Sequence, residues 1–108
     1  MHVIDHTTLA YHSSEGRQRV AVADQRLGVD GFEVWIERLT PWAHAAFGNP
    51  HGTDQVVLVT CGRGKLVVDE SIRHFVAPCS LLVPARCQCE IHNTGLEQML
   101  LVVAFPTR

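Results

Sequence analysis

The chain has 108 residues, 46% of them hydrophobic and 19% charged, and a formal net charge of −2. That length makes one domain with a modest core, and the composition excludes a disordered chain. The charge leaves no electrostatic footprint for nucleic acid or an acidic membrane surface, so neither is expected as a partner.

In chain order, residues 1–18 read as an N-terminal arm and 19–108 as one β-barrel domain. The arm carries His, Asp, Ser and Thr where a signal peptide needs an apolar stretch. The longest apolar run, Met99 to Phe105, is too short to span a bilayer. A cytoplasmic location is therefore expected. Five Pro and eight Gly leave little room for a long helix, and strand signals dominate. Arg19 to Ala23 and Phe32 to Leu39 alternate or run β-rich. Gln55 to Cys61 reads as a buried strand, and Gly62-Arg63-Gly64 turns it into Lys65 to Val68. Asp69-Glu70-Ser71 turns again into Ile72 to Val76. Ser80 to Val83, Cys87 to His92 and Gln98 to Phe105 complete the set. Short strands with turns about every 8–12 residues predict an all-β sandwich or barrel.

The four cysteines, Cys61, Cys79, Cys87 and Cys89, read as reduced. Nothing suggests secretion, and the domain needs no staples. Cys87 and Cys89 would share a strand face about 7 Å apart, at the upper limit for bridging.

Two segments carry a resemblance. The first, Asn49-x-His51 followed by Gln55 and Gly62, and the second, Pro78 followed by Pro84-x-Arg86-x2-Cys89-x3-Asn93, together resemble the paired motifs of a small single-domain cupin, whose first motif reads G-x5-H-x-H, then three or four residues, then E-x6-G. Aligned on Gly62, the motif's Glu falls on Gln55 and its two His on Asn49 and His51. The second motif reads G-x5-P-x-G-x2-H-x3-N. Pro78 takes its first Gly, Pro84 matches the Pro, Arg86 takes the second Gly, Cys89 the His, and Asn93 the closing Asn. The match runs over about residues 38 to 105, including Asn93-Thr94-Gly95 as the turn into the last strand. The resemblance implies a small antiparallel β-barrel of jelly-roll type, often a homodimer, with ligand or metal inside the barrel.

Strand parity says which of these side chains can meet. If Gln55 points inward, so do Val57, Val59 and Cys61. If Cys89 points inward, so do Cys87, Ile91 and Asn93, while Gln88, Glu90 and His92 point outward. The expected pocket is lined by Asn49, His51, Gln55, Cys87 and Cys89. The motif match makes His51 and Cys89 the metal-ligand candidates, with Asn49, Gln55, Cys87 and Arg86 as ligand-binding residues. Gln keeps the shape of Glu without its charge, and Asn loses the imidazole donor. Such a site suits Zn, Ni or Cu better than Fe or Mn. The alternative is that Cys89 is a buried apolar residue and His51 a hydrogen-bonded loop residue. Arg86, at a Gly place, must bend its turn differently or carry strain. His44 is a spare imidazole if 45–48 folds back. His2, His6, His12 and His74 read as surface histidines.

The functional readings are a module binding a small organic molecule in the barrel, with or without a divalent metal; a metal-dependent enzyme such as a dioxygenase, isomerase or lyase; and a structural dimer without a working site.

Overall fold

A computed structural model describes residues 2–48 and 52–107. Within these described residues ten strands form two antiparallel sheets. They are β1 (His12–Ser14), β2 (Arg17–Ala23), β3 (Phe32–Leu39), β4 (His44–Phe47), β5 (Gln55–Cys61), β6 (Arg63–Val68), β7 (Ser71–Val76), β8 (Cys79–Val83), β9 (Cys89–Asn93) and β10 (Met99–Pro106). The larger sheet runs β1-β2-β3-β10-β5-β8 and the smaller β4-β9-β6-β7. This is the expected all-β jelly roll. Among the described residues helix is limited to two short 3-10 turns, His6–Thr8 and Gln25–Leu27, each capped by a preceding Asp. Among the described residues no helix is long and apolar enough to cross a membrane.

β10 is the central strand of the larger sheet. Met99, Leu101, Val103 and Phe105 face the core, where β3 and β5 flank them. From the smaller sheet Ala45, Phe47, Cys89 and Ile91 close over the same core. Gly62 turns β5 into β6 at a φ of 104°, and a Cβ there would come within 3.1 Å of the Met99 backbone. Only glycine combines that conformation with that approach.

Two strands arise where the sequence showed no strand signal. β1 and the start of β2 lie within the stretch expected to be arm, and β1 pairs with β2 through His12–Arg19 and Ser14–Arg17. β4 is held by its register with β9, in which His44 pairs with His92 and Phe47 with Cys89. Its two alanines have little intrinsic β preference, so the pairing decides.

The inner face of the larger sheet is polar at one end. Arg17 and Arg19 of β2, and Glu33, Trp35 and Glu37 of β3, point into the barrel. Outside, the same sheet is apolar: Ile36, Val102 and Leu58 form one cross-strand row, and Val34, Ala104, Val56 and Leu82 another.

Candidate functional site: a polar cavity inside the barrel

The polar end of the barrel encloses a cavity of about 170 Å³, lined by Arg17, Arg19, Trp35, Glu37, Phe47 and Gln55 among others. Its charge is organised around Glu37, which is 1% exposed. Arg17 Nε donates to Glu37 Oε1 at 2.7 Å, and Arg17 Nη2 lies 2.7 Å from the same oxygen. The Arg17 guanidinium also stacks on Phe47, 4.7 Å from the ring centroid. Arg19 lies over Trp35 at 4.3 Å, and its Nε is 4.0 Å from Glu37 Oε2, too far for a hydrogen bond. The Trp35 indole N–H donates to Glu33 Oε1 at 2.9 Å.

Two buried polar atoms have no hydrogen-bond partner among the described residues: Arg19 Nε and Gln55 Oε1. Both residues line this cavity. One atom is a donor and the other an acceptor. Leaving each buried and unmade costs about 1–3 kcal/mol, a penalty that a bound molecule of complementary polarity removes.

The structure puts Gln55 inward, with Val57 and Val59, as parity predicts. Cys89, Ile91 and Asn93 are likewise inward, and Glu90 and His92 outward. The inward residues play different parts. Cys89 packs in the core, and its thiol contacts the Phe47 carbonyl at 3.5 Å. Burial, then the neighbouring Cys87, pushes the Cys89 thiol up to about 11. Cys87 lies just before β9, half-buried against the core. Asn93 is a structural clasp: Nδ2 donates to the Leu39 and Glu97 carbonyls at 3.0 and 2.8 Å, and Oδ1 accepts from Gly95 N–H at 2.9 Å. All four cysteines are free.

Arg86 is exposed and takes φ 64°, the left-handed conformation that the motif's glycine would supply. Its turn closes through Cys87 N–H to the Pro84 carbonyl at 3.2 Å. Asp54 Oδ1 accepts from Ala85 N–H at 2.9 Å and ties the turn to the start of β5. His44 does not fold back as a spare ligand. It sits on the outer face of β4, because Ala45 and Phe47 take the inward parity. Asn49 and His51 lie outside the described residues.

The described residues at the metal-ligand positions of the cupin motifs do not suit a divalent ion. Gln55 is an uncharged amide, and Cys89 is a neutral thiol engaged with a carbonyl, so neither offers a divalent ion an anionic donor there. A protonated Cys89 has a measurable consequence. At about pH 8, iodoacetamide should leave Cys89 unmodified in the folded protein. Because the folded state holds this proton above the ordinary thiol value of 9.0, its contribution to stability is full below pH 9 and fades as pH rises toward 11. Alkylation of Cys89 at pH 8 as fast as in denaturant would contradict this assignment.

A larger depression of about 530 Å³ opens at the opposite end of β5, beside Cys61, Arg63, Pro78 and Leu96. It lacks the orphaned buried polar atoms that mark the barrel cavity.

Arg17, Arg19 and Glu37 were not singled out from the sequence. The available signal was Arg-x-Arg followed by Glu-x-Trp-x-Glu at strand parity. Those charges alternate with Val34 and Ile36, and ordinary patterning would turn the apolar set inward.

No protein-family model matches the chain, and no curated protein matches it. Solved structures do. The polyketide cyclase RemF from Streptomyces resistomycificus superposes with a TM-score of 0.82 at 14% identity, covering 100% of this chain and 80% of that one. An RmlC-like cupin from Shewanella frigidimarina gives 0.78 at 16%, covering 100% and 92%. A sugar phosphate isomerase of the cupin superfamily from Silicibacter pomeroyi gives 0.74 at 22%, covering 98% and 75%. These likenesses establish the fold.

Proposed function

We propose that this small cupin-fold domain binds a small polar organic molecule in the barrel cavity, with Gln55 Oε1 accepting a hydrogen bond from it and Arg19 Nε donating one. The observation that carries the reading is that both residues with an orphaned buried atom, Arg19 and Gln55, line one cavity. Arg17 is neutralised by Glu37 at 2.7 Å, whereas Arg19 stands 4.0 Å from the same carboxylate, which makes Arg19 the better anchor for an anionic oxygen. A ligand with a carboxylate and a neighbouring hydroxyl satisfies both atoms. The cavity volume of about 170 Å³ is below that of drug-sized pockets, so the ligand has few heavy atoms. The neighbours named as a polyketide cyclase and a sugar phosphate isomerase support an organic ligand in this fold. The test is calorimetric titration with small hydroxy acids such as glycerate and lactate. Gln55→Leu should weaken binding about tenfold or more, because it strands the ligand hydroxyl without an acceptor. Equal binding by the variant would reject the assignment.

We further propose that the domain is a homodimer joined through the outer face of the larger sheet. Val56, Leu58 and Leu82 are exposed there, continuous with Val34, Ile36, Val102 and Ala104. These two rows contain no charged side chain, so the face can meet its own copy without like-charge repulsion. Light scattering should give twice the 12.0 kDa chain mass at micromolar concentration, and Leu58→Asp should give the single mass. A monomeric parent protein would contradict this.

A further inference from the structure

The outer face of the smaller sheet carries a cluster that the barrel cavity does not use. His44 of β4 and His92 of β9 are directly paired across the ladder, and their rings stack with centroids 4.8 Å apart. Glu90 precedes His92 on the same outward parity, and its Oε1 lies 2.8 Å from His92 Nε2. One ligand atom from each of the three residues lies within 4.8 Å of the others.

We propose that His44, Glu90 and His92 form a binding site for a borderline divalent ion, Zn(II), Cu(II) or Ni(II), on the outside of the barrel. Two imidazoles and a carboxylate are a donor set these ions accept, with water completing the shell. An ion about 2.0–2.1 Å from both imidazole nitrogens holds those atoms within about 4 Å of each other. The observed spacing needs only a small rotation of the exposed His44 and the half-buried His92 side chains to reach that. The ladder supplies the preorganisation: paired strands fix both Cβ positions, and the His92–Glu90 contact already holds one ligand against another. Lys65 of β6 pairs with His92 on its other side and brings a positive charge to the row. The affinity is therefore moderate.

The ion would join an edge strand to its neighbour. Among the described residues β4 pairs with β9 alone, at the edge of the sheet, and it continues from His44 to Phe47 and Gly48, which line the barrel cavity. Binding to the folded arrangement alone raises thermal stability by mass action.

The experiment is equilibrium dialysis of the untagged, metal-stripped 108-residue chain against micromolar zinc, with thermal melts in parallel. The expected result is one zinc per chain and a raised Tm. His44→Ala and His92→Ala should each weaken binding at least tenfold, and Lys65→Gln should tighten it by about two- to fivefold. His51→Ala and Cys89→Ser should leave it unchanged, which separates this site from one inside the barrel. In the unaltered protein, zinc should shift the ring resonances of His44 and His92, a readout that needs no variant to fold. Absence of zinc binding, zinc retained by the His44→Ala/His92→Ala double variant, or shifts confined to His51 would overturn the proposal.

Discussion

Replacing Arg17 with methionine is expected to destabilise the domain by about 3 kcal/mol, because it leaves a buried carboxylate without its main partner. Glu37 has 2% side-chain exposure, and both of its close contacts come from the Arg17 guanidinium. Arg19, 4.0 Å away, offsets only part of the loss. For a domain of this size the change corresponds to a fall in Tm on the order of 10 °C. The double replacement Arg17→Met/Glu37→Met removes the stranded charge as well. It should recover to within about 1 kcal/mol of the parent, since an apolar pair of similar volume often substitutes for a buried ion pair. Urea denaturation of the four proteins in the cycle measures this. A double variant no more stable than Arg17→Met would show that packing against Phe47, and not the charge pair, carries Arg17's contribution.

Asn93→Ala should cost a similar amount, about 3 kcal/mol, by a different route. Its amide closes three hydrogen bonds to backbone groups, joining the end of β3 to the turn before β10. Alanine leaves two carbonyls and one N–H to find other partners in a site where Asn93 itself is 1% exposed. Each unmet buried group costs about 1–3 kcal/mol, with partial rescue by water. Denaturant unfolding of Asn93→Ala checks this, and a loss under about 1 kcal/mol would mean that water takes over the clasp.

These two residues mark how far the sequence could be read. Asn93 was legible, because it closes a motif whose spacing survives intact, and its inward parity followed from Cys89. Gln55 was legible on the same grounds. The strands of the β5–β10 half were legible as well, being rich in Val, Ile and Leu between Gly and Pro turns. β4 was not, since a His-Ala-Ala-Phe stretch has no strand signal of its own and is ordered by pairing with β9. Arg17, Arg19 and Glu37 were hidden for a sharper reason. Alternation tells which residues share a face but not which face is inside. At the polar end of β2 and β3 the charged set turns inward and Val34 and Ile36 turn out, opposite to the usual reading. That inversion makes both the polar cavity and the apolar outer face, so one feature underlies the proposed ligand site and the proposed dimer.

The most direct test of the cavity as a ligand site is an ¹⁵N-edited NMR titration with glycerate, read at the two indole N–H resonances and at the arginine Nε–H groups. Trp35 lines the cavity, whereas Trp42 is 70% exposed and absent from its lining, so it serves as an internal reference. The expected result is saturable movement of the Trp35 indole and Arg19 Nε–H signals with Trp42 unmoved, and loss of that movement in Gln55→Leu. If glycerate, lactate and the other small hydroxy acids leave Trp35 and Arg19 unshifted up to millimolar concentration, or shift them equally in Gln55→Leu, the cavity is not the ligand site described here.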